Sequence, residues 1–335
     1  MRALITGAGG FLGLAIARRL RARGDDVRSV ARGRHGALDT LGVEQVQHDL
    51  SQGEGLAAVF EGVDVVFHVA ALAGMWGPRE RYVAVNVTGT ENVVAACRAA
   101  GVPKLVYTGS PSVSFRGQDE EGVDESVGYA EEFLFYYSET KAIAERLALA
   151  ANSPGLAVTA LRPHLIYGPD DPHLLPRLIQ RHRAGRLRIL GDGENRVALT
   201  FVENAAAAHV SAGDILQFGH PSAGRPYFIS DLEPVRVWDW LNGVFAALDL
   251  PPVTRRVPKG LAMTGAAIIE GIWSGLSLSG EPPITRFTVA QISSSHWYDL
   301  TGARRELGYD PPVGPDEALR LTVEGLRARI AAGTL

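Results

Sequence analysis

The sequence predicts an α/β fold: a doubly wound parallel sheet with a smaller C-terminal lobe interleaved with it. Three observations predict it. Short β-rich runs alternate with helical stretches through the first half of the chain. A glycine-rich turn, TGAGGFLG, joins the first run directly to a helix. Beyond Pro169 the alternation gives way to Pro-rich pieces.

Taken in order, the strands are RALIT, DVRSV, VEQVQHDL, VDVVFHVA, KLVYTGS and AVTALRP. Between them lie FLGLAIARRLRARG, LAAVFEG, NVTGTENVVAACRAAG and the run that begins YYSETK. Such alternation implies a parallel sheet covered by helices on both faces. The Pro-rich pieces DDPHLLPRL, LPPVTRRVP, EPPITRF and YDPPVGP form a second lobe over the carboxyl ends of the strands, where open α/β sheets bind ligands. LTFVENAAAAHVSAGDIL and PYFISD read as a helix and a strand returning to the sheet. The expected division is therefore residues 1–170 with 199–231 in one domain, and residues 171–198 with 232–335 in the substrate lobe.

The chain has 335 residues, 46% hydrophobic and 21% charged, as a soluble globular protein has. A net charge of −4 argues against a general affinity for nucleic acid or acidic membranes. A single cysteine, Cys97, excludes an intramolecular disulfide and a cysteine-rich metal site; its helical surroundings make it a small buried residue rather than a nucleophile. No metal is expected. The first strand starts at once, with no signal peptide before it, so a cytoplasmic location is expected. The run from Gly260 to Leu278 is apolar but holds Glu270 and is too weak for a spanning helix, which needs about 20 strongly apolar residues. It reads as a buried or substrate-covering helix, with membrane contact as the alternative.

The glycine turn carries the first functional signal. Gly7, Gly10 and Gly13 permit a tight turn, close approach of a pyrophosphate to backbone N–H groups, and close helix–sheet packing. A dinucleotide site of the Rossmann type is expected. An NAD site places an acid near the end of the second strand, roughly 20 residues after the loop. Here VRSVARGRHGAL has none: Ala31 stands at that position, and Arg32 and Arg34 follow. An arginine there pairs with a 2′-phosphate, so NADP(H) is favoured. Asp49 either accepts from the adenine amino group or caps the turn before Ser51.

The second signal is YYSETK at the front of a helix. Tyr137 and Lys141 are i and i+4, on one face, whereas Tyr136 is about 140° around from Lys141 at about 100° per residue. A lysine beside a phenol lowers its pKa, which makes Tyr137 the candidate acid. The fifth strand ends as VYTGSPSVSF, delivering Ser110 and Ser112 to the same edge of the sheet.

TGAGGFLG, HVAALAG, NVTGTENV, YTGSPSV, YYSETK and LRPHLIYGP occur in the order found in the extended short-chain dehydrogenase/reductases, and the chain resembles that superfamily over nearly its whole length. ALAGMWGP, SPSV, LRPHLIYGPDDPHLLPRLI, EPPITRF and SSHWYDL resemble its 3β-hydroxysteroid dehydrogenase branch, and within it the bacterial 2-alkyl-3-oxoalkanoate reductases of long-chain olefin biosynthesis. The resemblance implies that Ser110 orients a substrate carbonyl and that Tyr137 is the proton donor. Lys141 then binds the nicotinamide ribose and tunes the tyrosine. It also implies cofactor contacts from Phe11 and Leu12 in the loop, from Leu50, Ala70 and Ala71 after the third and fourth strands, and from Pro163 and Leu165 at the carboxamide. One residue departs from the pattern: Gly109 stands where a serine or threonine is expected.

The implied substrate is a hydrophobic β-keto or β-hydroxy acid, reduced reversibly at its 3-oxo group. The apolar 261–276 segment and Trp76 are expected to supply an oily pocket, with Ser112 nearby. Arg286, or else His164, is expected to meet the carboxylate; an ion pair between the lobes is the other reading of Arg286. The alternatives are a hydroxysteroid or sterol-carboxylate dehydrogenase, a nucleotide-sugar epimerase or dehydratase, and a non-catalytic NADP sensor. A homodimer, and contact with a membrane surface or a pathway enzyme, fit the same reading.

Overall fold

The computed structural model describes residues 1–74, 76–276 and 278–335. Met75 of ALAGMWGP and Ser277 at the end of the apolar run therefore lie outside the described residues.

Seven parallel strands form the central sheet: β1 (Arg2–Thr6), β2 (Asp26–Ala31), β3 (Glu44–Gln47), β4 (Val65–His68), β5 (Lys104–Thr108), β6 (Ala157–Pro163) and β7 (Pro226–Ile229). Their order across the sheet is β7-β6-β5-β4-β1-β2-β3. All seven were legible as β-rich runs, including PYFISD, which returns to pair with β6. Strands β1 and β4 are neighbours while β2 lies on the other side of β1, so the order reverses there and a crevice opens at their carboxyl ends.

Helix α1 (Phe11–Ala22) follows the glycine turn and α2 (Gly89–Ala100) precedes β5. Helix α3 (Tyr136–Ala150) carries the Tyr/Lys pair, and α4 (Val202–Ile215) leads towards β7. Two cores sandwich the sheet. On one side Leu12, Ile16 and Leu20 of α1 and the alanines of α4 pack on Ile5, Phe67 and Phe228. On the other side Val93 and Cys97 of α2 and Ala144 and Ala148 of α3 pack on Leu4, Val66 and Tyr107. Cys97 is fully buried, and burial pushes its thiol up to about 12, which leaves it inert.

The second lobe has its own core around Leu175, Ile179, Trp238, Leu241 and Phe245. Its four-stranded sheet joins Val235–Arg236, Arg196–Val197, His296–Tyr298 and Glu120–Val123. The last of these strands comes from between β5 and α3, so the two lobes are stitched together beside the end of β5. Helices α5 (Lys259–Gly275) and α6 (Arg286–Ser293) complete this lobe. Among the described residues no helix is long and apolar enough to cross a membrane.

Candidate active site

The glycine turn stands at the reversal of strand order. The N–H of Gly10 donates to Gly7 O at 3.0 Å, and Gly10, in extended conformation, is the N-cap of α1 with no side chain to cap it. The first N–H groups of the helix are therefore free to meet an anion, and the first turn holds no acid that would repel one. Gly13 cannot be replaced without movement, because a Cβ there would lie 2.3 Å from Gly7 O. Leu12 is buried in the core beneath the loop and Phe11 is half-buried beside Gly168.

At the end of β2, Ala31 offers no carboxylate. The two arginines that follow differ. Arg34 is engaged by Asp39 at 2.8 Å, whereas Arg32 is exposed and makes no ion pair among the described residues. Asp49 accepts from Ser51 N at 3.0 Å and Ser51 Oγ at 2.8 Å through one oxygen, which fulfils the capping reading; those bonds hold its pKa below the usual range. Leu50 is buried next to it against Gly89. Ala70 lies against the loop, its N–H donating to Thr6 Oγ1 at 3.2 Å, and Ala71 is exposed beyond it.

Tyr137 and Tyr136 are separated as the helical geometry requires: Tyr136 is 46% exposed, while Tyr137 is half-buried and hydrogen-bonded to Ser110. Ser110 Oγ is 2.9 Å from Ser112 Oγ and accepts from Ser112 N at 3.3 Å. The expected lowering of the Tyr137 pKa is not found. Burial raises it, and the Ser110 hydrogen bond offsets this only in part. The phenol is thus protonated at neutral pH. The reason lies with Lys141, whose Nζ donates to Thr108 O at 2.5 Å and sits over the Tyr107 ring, 4.3 Å from its centre. Burial pushes the lysine down to about 7, against the opposing pull of Glu145.

Glu145 explains the departure at position 109. It forms a fully buried pair with Arg162, Oε1 to Nη2 2.6 Å, and accepts from the Tyr129 hydroxyl at 2.9 Å. A Cβ on Gly109 would lie 2.3 Å from Glu145 Oε2 and 3.2 Å from Leu161 O. The backbone before the serine is pressed against a carboxylate that lies one helical turn beyond Lys141.

A buried polar chain that the sequence reading missed joins the glycine loop to the tyrosine helix. Thr90 Oγ1 donates to Asn86 O at 2.7 Å, so it accepts from His68 Nε2 at 2.9 Å. His68 Nδ1 is then the acceptor for Thr6 Oγ1 at 2.7 Å. Asn86 spans the gap between Leu72 and Thr140, accepting from Leu72 N at 2.7 Å and donating to Thr140 Oγ1 at 3.1 Å. Thr140 Oγ1 in turn lies 2.7 Å from Tyr136 O and 3.1 Å from Tyr137 O. Asn86 is placed by a π-helical turn, Val83–Thr88, immediately before α2. Burial pushes His68 down to about 3, so it is neutral. The unfolded chain binds a proton near pH 6.5 and the folded one does not, so His68 removes stability as pH falls from about 6.5 towards about 3. The signals available were the T in front of GAGG, the H of VVFHVA and the N of NVTGT.

Past β6, Leu165 holds φ +38°, a left-handed conformation unusual for leucine. Thr200 Oγ1 locks it, lying 2.5 Å from His164 O and 3.1 Å from Ile229 O. Pro163 is buried at the strand end.

The substrate-side candidates are less assembled. His164 is buried, donates Nδ1–H to Ala198 O at 2.6 Å and packs edge-on against His296; burial holds it well below its ordinary pKa, so it is no cation. Arg286 is held by Glu270, which takes its Nε at 2.6 Å and its backbone N–H at 2.7 Å, a pair inside the second lobe rather than between lobes. Trp76 is half-buried and its carbonyl accepts from the Tyr82 hydroxyl at 3.2 Å. The 261–276 helix fully buries only Ala262 and Ala266, half-buries Met263, Ile269 and Trp273, and leaves Leu261, Ile268, Ile272 and Leu276 exposed. The apolar wall beside the phenol is aromatic instead: Phe135 stacks on Tyr137 (5.9 Å between centroids) and meets Phe287 at 3.9 Å, with Phe115 edge-on behind at 6.0 Å. Phe287 is the neighbour of Arg286 in EPPITRF, one residue from the candidate chosen from sequence.

Residues 4–258 match the model of the 3-beta hydroxysteroid dehydrogenase/isomerase family. The chain belongs to that family. It is an extended short-chain dehydrogenase/reductase, an oxidoreductase of CH–OH and C=O groups. It is 46% identical over 326 residues to the 2-alkyl-3-oxoalkanoate reductase of Shewanella oneidensis, covering 95% of this chain and 84% of that one. It is also 46% identical to the enzyme of the same name from Stenotrophomonas maltophilia, covering 96% and 98%. The human sterol-4-alpha-carboxylate 3-dehydrogenase, decarboxylating, is 34% identical over 97% of this chain and 88% of its own length. Among solved structures, MoeE5 in complex with UDP-glucose and NAD superposes with a TM-score of 0.75 at 27% identity, over 98% of this chain and 100% of that one.

Replacing Gly109 by alanine should cost about 1–3 kcal/mol through overpacking against Glu145. Denaturant unfolding at neutral pH measures it. Unchanged stability would show that the carboxylate moves aside freely.

Proposed function

We propose that the protein is an NADP(H)-dependent reductase of the 3-oxo group of long-chain 2-alkyl-3-oxoalkanoates, acting reversibly on the β-keto acid and its 3-hydroxy acid. The observation that carries this reading is a protonated phenol, Tyr137, bonded to Ser110 and walled on one side by Phe135, Phe287 and Phe115. Two relatives at 46% identity bear the name of this activity.

The residues present fit a nicotinamide dinucleotide. The uncapped start of α1 and the close-packed Gly7–Gly13 turn suit its pyrophosphate, and the solved neighbour MoeE5 holds NAD on the same fold. Arg32, exposed and without an ion-pair partner among the described residues, suits a 2′-phosphate. Asp49, Leu50, Ala70 and Ala71 border the adenine and ribose side. Lys141 and the backbone of Pro163 and Leu165 border the nicotinamide side. When bound, the reduced cofactor supplies the hydride.

The rest falls to the chain. Ser110 Oγ donates to the 3-oxo oxygen and holds the carbonyl so that one face meets the hydride. The Tyr137 hydroxyl gives its proton to that oxygen as the carbon takes hydride, which turns the ketone into an alcohol and leaves a phenolate. Lys141, one helical turn away and held by Thr108 O, would favour that phenolate when its ammonium turns towards it. In the oxidative direction each step reverses. The aromatic wall takes the alkyl chains, and each buried methylene adds about 0.8 kcal/mol until the wall is covered.

Tyr137→Phe should lower kcat by at least about a hundredfold while leaving NADPH binding nearly intact, because only the transferable proton is lost. Tyr136→Phe should change kcat less than about twofold, since its ring is exposed. NADPH oxidation with 2-alkyl-3-oxo acids, 3-oxo-steroids and nucleotide sugars is the assay. Turnover confined to nucleotide sugars would contradict the proposal, as would equal effects of the two tyrosine variants.

Arg32→Ala should raise the Kd for NADPH about tenfold or more and leave that for NADH almost unchanged, as expected of a charge-assisted phosphate contact. Fluorescence titration of both cofactors tests it. Equal weakening of the two would remove the case for NADP(H).

A further inference from the structure

Lys141 is enclosed by the fold, and little around it supports a positive charge. The side chain is 3% exposed, and burial pushes its pKa down to about 7. Its Nζ donates to Thr108 O at 2.5 Å, which leaves two N–H groups of an ammonium to be placed elsewhere. Glu145, one turn along α3, favours the ammonium but is already bound to Arg162 and Tyr129. His68 on β4 is neutral, and the lysine's charge helps to keep it so. Tyr137, on the same helix as the lysine, is a protonated phenol. What faces Nζ instead is a ring. Tyr107 of β5 lies beneath it, with Nζ 4.3 Å from the ring centre.

Tyr107 is fully buried in the middle of the sheet, between His68 of β4 and Ala160 of β6. Its hydroxyl has no hydrogen-bond partner among the described residues, so the residue acts through its ring and not through its polar atom. An aromatic face attracts a cation through its quadrupole, and more strongly where water is excluded. It offers no base to take the lysine's proton, and its pull is broad rather than directed. Nζ can therefore leave the ring for the phenol without breaking an ion pair. A carboxylate at position 107 would hold the ammonium fast, and an aliphatic side chain would leave a buried charge unsupported.

We propose that Tyr107 is a positioning residue: the face of its ring seats the Lys141 ammonium beside Thr108 O and keeps it charged until it turns to Tyr137. Its part in turnover rests on the reductase reading given above; the seat itself does not. Thr108, whose carbonyl shares the lysine with the ring, stands two residues before Ser110, so the seat belongs to the strand that delivers the serine.

Lys104, Lys141 and Lys259 are the only lysines of the chain, so carbon-13 lysine labelling leaves three side chains to follow by NMR as pH is varied. Tyr107→Phe keeps the ring and should move the Lys141 pKa by less than about 0.3 unit. Tyr107→Leu removes the ring and should lower that pKa by about one unit or more. Mono-, di- and trifluorophenylalanine at position 107 keep the shape while weakening the ring face, and should lower it in steps. That series carries the test if the leucine variant fails to fold, and a role in packing alone would not produce the steps. In the reductase assay the alkaline limb of kcat should move to lower pH by the same amount. A Lys141 pKa unchanged by leucine and along the fluorinated series overturns the proposal. So does a shift with Tyr107→Phe as large as that with leucine, because the hydroxyl then holds the lysine. A displaced lysine titration beside an unmoved kcat profile supports the seat and contradicts the reductase role of Lys141 instead.

Discussion

A continuous run of buried hydrogen bonds from Thr6 to the carbonyl of Tyr137 ties the two halves of the candidate site together. Thr6 ends β1 at the glycine turn, His68 ends β4, Thr90 and Asn86 stand at the start of α2, and Thr140 lies on α3. Each group has a partner, as burial demands, and each strand or helix in the run is fixed relative to the next. The constraint is directional. Because Thr90 donates to Asn86 O, His68 must carry a proton on Nε2, and burial keeps the ring neutral. Burial disfavours the imidazolium, and the charge of Lys141 adds to that. The position of the phenol relative to the glycine loop thus depends on one buried neutral histidine.

A second buried set governs charge. Glu145 and Arg162 neutralise one another behind the site, and Glu145 lies one turn beyond Lys141 along α3. The lysine is sheltered from water, which lowers its pKa, and the carboxylate limits that fall. The close approach of the β5–Ser110 connection to this pair leaves no room for a side chain at position 109. Serine position, lysine charge and the glycine that replaces an expected hydroxyl residue are therefore one packing problem.

The fold was legible because its signals are local and periodic. β-rich runs, a glycine turn and helical spacing name all seven strands and put Tyr137, not Tyr136, on the lysine face. The polar chain was harder to read, because Thr6, His68, Thr90 and Asn86 are ordinary residues until the parallel sheet brings them within bonding distance. Long-range pairing also decided what became of the cations. Arg286 looks available in sequence, and only the packing of α5 on α6 reveals Glu270 against it. His164 looks polar and accessible after β6, yet the four-stranded sheet of the second lobe covers it. The apolar 261–276 run announced its hydrophobicity but not its direction: Ala262 and Ala266 face inward, while Leu261, Ile268, Ile272 and Leu276 stay exposed.

The central claim is that a neutral His68, protonated at Nε2, holds the glycine loop and the tyrosine helix in register. Nitrogen-15 NMR of the histidine-labelled protein reports tautomer and protonation together. The account predicts the neutral Nε2–H form throughout the range of pH in which the chain stays folded, down towards the value of about 3 set by burial. A His68 that titrates near pH 6.5 in the folded protein, or one that carries its proton on Nδ1, would contradict it.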